Sequence, residues 1–467
     1  MYGISDIFKE GRPIGDIIAD LKDKQIEIPD WDSELLKLYE PTKHKIVTDT
    51  ETRKDKIHKN GQKDIASRIY IGWEQLLVKR ITEFTCAIPI KRVYHNTEDS
   101  EVRQQIVQAK ERIYKYARID AENVRRLHAY YAGCEIFTIW YVEKKQNTLY
   151  GFNCPYKLKC RTYSPIDGVK LYPLFDDRGD MIAMSFAYET KRGTLKTYYF
   201  ETFTADKHYK WVQENGEYKA VKDPGDIEIL KIPGAYMWRP QPVYHGLSHI
   251  REEAEYTLSR NSDVIAYNSA PILKVSGELA GQEEKGASKR VYRVENGGDV
   301  SYVSWSQAIE ALKYQVDMLT NLFWTQSQMP DISFANMKSL GNIGFDARQT
   351  LLTDAHLKIG DESCAIYEFL DRESNVVNAF LKKMNTAWAS EVDNIETEHI
   401  ITPFIQNDEK AEIGKWMEAS GGKPVISQLD AIKYSGLSSD PQKTLEQIQA
   451  EESSSAMQMN SVFESGM

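Results

Sequence analysis

Residues 245–268, HGLSHIREEAEYTLSRNSDVIAYN, and 306–328, SQAIEALKYQVDMLTNLFWTQSQ, bracket a short strand-rich insert, and that order decides how the chain reads. The first stretch predicts a helix with Leu247, Ile250, Ala254, Leu258 and Ile265 along one face. Arg251, Glu252, Glu253, Glu255 and Arg260 then form a charged side. Pro271 stops this helix, Ile272–Val275 reads as a strand, and Gly277 to Gly286 as a polar loop. Arg290–Glu295 and Asp299–Val303 flank Asn296-Gly297-Gly298, residues that tolerate positive φ, and so predict a hairpin. Ser306 caps the second helix, where Ile309, Leu312, Val316, Leu319 and Phe323 follow the three-then-four spacing of a helix packed on another helix. Its partner is the first helix or a helix of a second copy. Two helices with a strand-rich cap describe a structural and interaction protein.

Downstream, Pro330 breaks the helix, and the Gly-, Ser- and Asn-rich stretch 331–345 reads as an ordered loop or a kinked segment. A long helix follows from Phe345 to about Met384, offering Leu351, Leu352, Ala355, Ile359, Ile366, Leu370, Val377 and Phe380 for burial. Gly360 inside it costs about 1 kcal/mol relative to alanine, which suggests a bend or a close contact there. Ser427 with Asp430 resembles a cap for a short helix through Lys433. Pro441 opens another helix to Glu452, and the last 15 residues read as a mobile tail.

Upstream, residues 1–65 are polar and charged, with short helical stretches at Ile4–Lys9 and Asp32–Leu38. Apolar residues recur at helical spacing from Asp64 to Thr85. Pro89 ends that helix before a strand at Ile90–Tyr94, and a second helical block spans Glu101 to Ala132. After Gly133 the composition turns β-branched and aromatic. Runs at Glu135–Glu143, Lys157–Tyr163, Val169–Leu174, Met181–Glu189, Thr194–Phe203, His208–Gln213 and Ile227–Lys231 predict an antiparallel layer over 134–233. Pro233, Pro240 and Pro242 mark its end. The fold class is α+β.

The 467 residues can fill two or three domains, and 41% hydrophobic with 27% charged residues are the proportions of a folded soluble protein. A net charge of −10 argues against static binding to DNA by neutralised phosphates, while leaving room for an acidic surface past which DNA slides. The five cysteines form no regular framework and fit reduced thiols. No run of apolar residues is long enough to span a membrane.

Chemistry is sparse. There is no GxxxxGK[ST] phosphate loop, no HExxH and no GxSxG. Asp176-Asp177 sits in an Asp-Asp-Arg-Gly turn, where a turn role outweighs a catalytic one. Cys154 and Cys160 are spaced outside the usual zinc patterns. His44 and His58 lie among lysines, and His245 and His249 at a helix start, so solvated or capping roles are expected. No cofactor, metal site or catalytic residue is expected, and the chain reads as no enzyme. Lys289, Arg290 and Arg293 near the insert could touch phosphate or an acidic partner, or simply solvate a strand edge.

The order of parts resembles the portal proteins of tailed bacteriophages, in the class found in many long-tailed phages. The residues that carry the likeness begin with Cys86-Ala87-Ile88-Pro89-Ile90 and Ser164-Pro165-Ile166-Asp167. Pro242-Val243-Tyr244-His245-Gly246-Leu247-Ser248 then leads into the helix ending at Pro271. Ser339-Leu340-Gly341 with Phe345-Asp346-Ala347-Arg348 follow, and then Gly421-Gly422-Lys423-Pro424 and Ser439-Asp440-Pro441. The Asn342-Ile343-Gly344 insertion and the short C-terminus depart from the pattern.

This resemblance implies a portal-type fold: a helical and β wing, a two-helix stem, a small α/β clip, a long wing helix and a short helical crown. On that map 1–60 is a charged N-terminal segment, 61–240 wing, 241–270 first stem helix, 271–305 clip and 306–328 second stem helix. Residues 329–345 are then the tunnel loop, 346–400 the long wing helix and its return, and 401–467 crown and tail. It further implies a ring of twelve copies at one capsid vertex of the virion, assembled in the host cytoplasm, with no membrane partner. Double-stranded DNA passes through the ring during packaging and ejection. The terminase large subunit, a head–tail adaptor, and the major capsid and scaffolding proteins are the implied partners. Asn336, Lys338, Ser339 and Asn342 would meet the DNA backbone, Lys289, Arg290 and Arg293 would serve docking at the clip, and Ile309, Leu312, Val316, Leu319 and Phe323 would pack the stem. Two rival readings remain: a glycan-acting or glycan-binding β-rich protein, which needs two carboxylates facing each other across a cleft, and a monomeric virion scaffold component.

Overall fold

The structure is a computed structural model and describes residues 4–57, 61, 63–97, 100–268, 272–276, 279–284, 290–294, 299–303, 308–332, 350, 352–404, 409–421, 425–435, 438 and 441–464. The chain divides into two compact units, one of 1–339 with 351–404, the other of 340–350 with 405–467.

The first unit begins with short helices α1 (Ile4–Ile7), α2 (Ile14–Lys22), α3 (Leu36–Tyr39) and α4 (Lys45–Thr48), then a two-residue ribbon of β1 (Lys56–Ile57) and β2 (Lys63–Asp64). Helix α5 runs Trp73–Cys86 and buries Leu77, Val78, Ile81 and Phe84. It starts later than the apolar spacing predicts, because the backbone of Ser67, Ile69 and Ile71 is drawn to side chains elsewhere instead of into a helix. After β3 (Lys91–His95), the helical block expected over 101–132 is made of two helices, α6 (Glu101–Ala117) and α7 (Ile119–Gly133). They break at Arg118, whose φ of +58° is left-handed.

The β layer is antiparallel throughout but forms two sheets. One orders β12 (Gly234–Trp238), β4 (Glu135–Asn147) and β5 (Cys154–Tyr163) side by side. The other has six strands: β6 (Lys170–Phe175), β7 (Met181–Arg192), β8 (Leu195–Phe203), β9 (Lys207–Glu214) and β10 (Glu217–Ala220), with β11 (Gly225–Asp226) also on β9. The predicted strand at Ile227–Lys231 is instead a turn, with Leu230 at φ +52°. The missed strand β12 lies beyond Pro233. It approaches β4 so closely that a Cβ on Gly234 would sit 2.5 Å from the Thr138 carbonyl oxygen.

Helix α2 and Phe8 cover one face of the six-stranded sheet, packing Ile17, Ile18 and Leu21 against Phe200 and Trp211. The other face shares a core with α6 and the three-stranded sheet. A further core lies among α5, α7 and α10 (Thr353–Met384), the helix preceding β17 (Glu396–Ile400), which returns to pair with β3. Of the residues offered for burial on α10, Ala355, Ile359, Ile366, Leu370, Val377 and Phe380 are buried. Gly360 is exposed with open space around its Cα, so it marks no close contact.

In sequence before α10 come α8 (Ser248–Asn268), strands β13 (Ile272–Ser276), β14 (Leu279–Glu284), β15 (Arg290–Val294) and β16 (Asp299–Val303), and α9 (Ala308–Ser327). The second unit holds α11 (Glu409–Ser420), α12 (Gln428–Ser435) and α13 (Pro441–Glu464). Ser427 caps α12, accepting the Asp430 N–H at 3.0 Å. Helix α13 runs on to Glu464, through most of the segment read as a tail, since no Gly or Pro interrupts it.

Candidate functional site

Part of the charged side of α8 is buried. Arg251 and Glu255 are 1% and 0% exposed, which the charge pattern alone does not announce. Arg251 donates to Glu74 Oε1 at 2.8 Å and to Glu255 Oε2 at 2.9 Å. Glu255 Oε1 lies 2.6 Å from Nδ1 of His44, and the other ring nitrogen of His44 is 3.0 Å from the Leu38 carbonyl, which can only accept. His44 is therefore buried and doubly bonded instead of solvated. Burial pushes the Glu74 carboxyl up, with Arg251 pulling the other way.

Beyond this cluster α8 carries a ladder of acceptors four residues apart. Glu255 takes the N–H of Ile71 at 2.8 Å, Ser259 Oγ that of Ile69 at 2.9 Å, and Asp263 that of Ser67 at 2.9 Å. The register is physical: four residues of helix rise about 6 Å, and two residues of extended chain advance about 6.6 Å. The segment 67–71 thus runs antiparallel along α8 as a strap. Arg53 bonds the Ser259 carbonyl at 3.3 Å and pairs with Asp263. Burial works against ionising Asp263, but the Ser67 N–H and Arg53 outweigh it and hold its carboxyl below the usual range. The signal for this site was the polar series Arg251, Glu255, Ser259, Asp263 at intervals of four. Spacing alone does not say that such a stripe is buried.

Helix α9 packs beside α8. Leu312, Val316 and Leu319 are half-buried and Phe323 fully so, its ring 4.9 Å from that of Trp73. The side chain of Ile309 lies outside the described residues. A second apolar stripe lies on another flank of α9: Tyr314, Met318 and Leu322 are 66%, 50% and 40% exposed.

The insert between the helices is paired differently from the prediction. Strand β15 pairs with β14 and β16 with β13, so the strands flanking Asn296-Gly297-Gly298 do not pair with each other among the described residues. The stretch read as a polar loop supplies β14. An Asn-Gly-Gly signal reports a sharp reversal of the chain, not which strands then meet. Arg290 stands opposite Glu284 in the ladder and Arg293 opposite Gly281. Lys289, Asn336, Lys338, Ser339 and Asn342 lie outside the described residues.

Asp176 is a turn former, accepting the N–H groups of Arg178 and Asp180 at 2.8 and 2.9 Å. Cys154 Sγ faces the Tyr156 carbonyl and Cys160 Sγ that of Ala117. Among the described residues no three His, Cys, Asp or Glu side chains converge as a metal site would need. No helix among them is long and apolar enough to cross a membrane. A cleft of about 1290 Å³ opens between α7, β5 and β7, with Glu122, Asp167 and Glu189 on its walls. Glu122 already accepts the Thr162 N–H at 3.1 Å, and Glu189 pairs with Lys191 and Lys196. Two of its three carboxylates are thus held by the fold, not paired for glycoside chemistry.

Comparison with known proteins adds to this geometry. A family profile described as "Phage portal protein, SPP1 Gp6-like" matches residues 30–458. Curated protein sequences yield no match. Among solved structures, the neck of an empty GTA particle computed with C6 symmetry is similar at 10% identity and a TM-score of 0.39, covering 86% of this chain and 95% of that one. The neck of a native GTA particle computed with C12 symmetry is similar at 10% identity and a TM-score of 0.39, covering 90% and 98%. With the profile spanning most of its length, the chain belongs to the phage portal protein family of the SPP1 Gp6-like type.

Proposed function

We propose that this portal protein assembles as a ring of twelve copies at one capsid vertex, through which double-stranded DNA enters during packaging and leaves during ejection. In this role it is a structural component of the virion and not an enzyme. The observation that carries the reading, beyond family membership, is the second apolar stripe of α9. Tyr314, Met318 and Leu322 are exposed on a helix whose other side is already packed, which is what a helix completed by another copy requires. On the domain map above, α8 and α9 are the stem and β13–β16 the clip, the face on which terminase and later the head–tail adaptor dock. The loop 331–344 faces the channel, with Asn336, Lys338, Ser339 and Asn342 meeting the DNA backbone in passing.

Negative-stain imaging with native mass measurement of the purified chain tests the ring. Rings with a central hole support the reading, and a chain that stays monomeric even with scaffolding protein present overturns it. Deleting 331–344 is expected to leave rings intact while packaging or genome retention fails; normal packaging by a ring-competent deletion would remove the loop from the mechanism.

A further inference from the structure

The strap on α8 and the outer stripe of α9 lie on different flanks of one helix pair. On α9, the exposed stripe of Tyr314, Met318 and Leu322 centres about 130° round the helix from the half-buried stripe of Leu312, Val316 and Leu319, so it lies on another flank. On α8, the strap occupies the flank defined by Glu255, Ser259 and Asp263. Apolar side chains on the strap and just before it are exposed: Ile65 is 73%, Ile69 38% and Tyr70 51% exposed, with Ile65 and Ile69, four residues apart, on one side of the extended chain.

We infer that in the assembled protein the outer stripe of α9 on one copy seats on the strap of the next, Met318 and its neighbours meeting Ile65 and Ile69. This rests on the ring reading and says which two surfaces close it. Three observations favour a second copy as the occupant. A ring needs a heterologous contact, two different patches on different flanks of each subunit, and these are such a pair. Their lengths agree: Tyr314 to Leu322 spans about 12 Å of helix and Ile65 to Ile69 about 13 Å of extended chain. Their charges are opposite in sign. Residues 65–71 hold Arg68, a net of +1, while 308–327 hold Glu310, Lys313 and Asp317, a net of −1. The ladder on α8 then has a purpose beyond stability, since it holds the strap backbone in register to present its apolar side chains.

The test uses full-length protein with Cys364, the exposed cysteine, changed to serine. Ile69→Cys on a tagged chain is mixed with Met318→Cys on an untagged chain, assembled, and treated with a short bis-maleimide. The expected product is the tagged–untagged heterodimer in excess of either homodimer, and the double variant I69C/M318C is expected to give a ladder of covalent oligomers. Rings that image normally but yield no heterodimer, or only Met318–Met318 homodimers, overturn this interface and leave the ring reading standing. Failure of every variant and of the unmodified chain to form rings overturns both. As a second readout, Ile65→Asp and Met318→Asp are each expected to lose rings with unchanged thermal unfolding, and intact rings from either overturn the proposal.

Discussion

Arg126 shows what a single buried charge does in this protein. Its guanidinium spans both oxygens of Glu373, at 2.7 and 2.8 Å, lies 4.6 Å from the Phe369 ring, and shares the carboxylate with Trp140 Nε1 at 2.9 Å. Replacing Arg126 by methionine leaves a carboxylate buried without its countercharge and is expected to cost about 3–5 kcal/mol in urea unfolding. Adding Glu373→Leu should recover most of that loss, short of about 1–3 kcal/mol for the stranded Trp140 N–H. Glu201 gives a pH-dependent counterpart. Burial opposes its ionisation, but hydrogen bonds from His208, Lys210 and Tyr188 prevail and hold it at about 2. A folded pKa below the unfolded one adds stability that is fully present above about pH 5 and is lost as pH falls toward 2. The stability gap between the native chain and Glu201→Gln is therefore expected to narrow by about 1.4 kcal/mol per pH unit below the ordinary carboxylate value. A gap constant from pH 6 to pH 3 would refute it.

At the scale of elements, local pattern and long-range bonding decide different things. Helix α10 was readable from its apolar periodicity, and so were most strands of the β layer, because one buried face imposes its period on the sequence. The start of α5 was not readable, since the N–H groups of Ser67, Ile69 and Ile71 are claimed by α8, nearly two hundred residues away in the chain. The pairing of β13 with β16 escaped for a related reason: it joins the first and last strands of the insert across two others, where no local signal connects them. Gly360 gives a direct test of the local part. It is helical, exposed and has open space where a Cβ would go, so Gly360→Ala is expected to raise stability by about 0.5–1 kcal/mol in thermal or urea unfolding. Gly234→Ala, with the Thr138 carbonyl and the Phe137 ring in the way, is expected to lower it.

For the molecule as a whole, two substitutions on one helix separate folding from assembly. Val316 is half-buried on the inner stripe of α9 and Met318 half-exposed on the outer one. Val316→Asp is expected to loosen the helix pair within each copy, lowering the unfolding temperature as well as assembly, because a buried charge must be desolvated. Met318→Asp is expected to leave unfolding unchanged and abolish rings in sedimentation or imaging; equal effects of the two on unfolding would contradict the division of α9 into an inner and an outer stripe. The sequence by itself determined the α+β class, the helix–insert–helix order, the long helix before β17 and the likeness to portal proteins, because periodicity and punctuation are local properties of the chain. Only the tertiary structure decided that Arg251 and Glu255 of α8 are buried, that His44 and Glu74 join them, and that segment 67–71 is strapped along the helix. A polar stripe looks the same in sequence whether water or a backbone N–H satisfies it, and the choice is made by residues far along the chain.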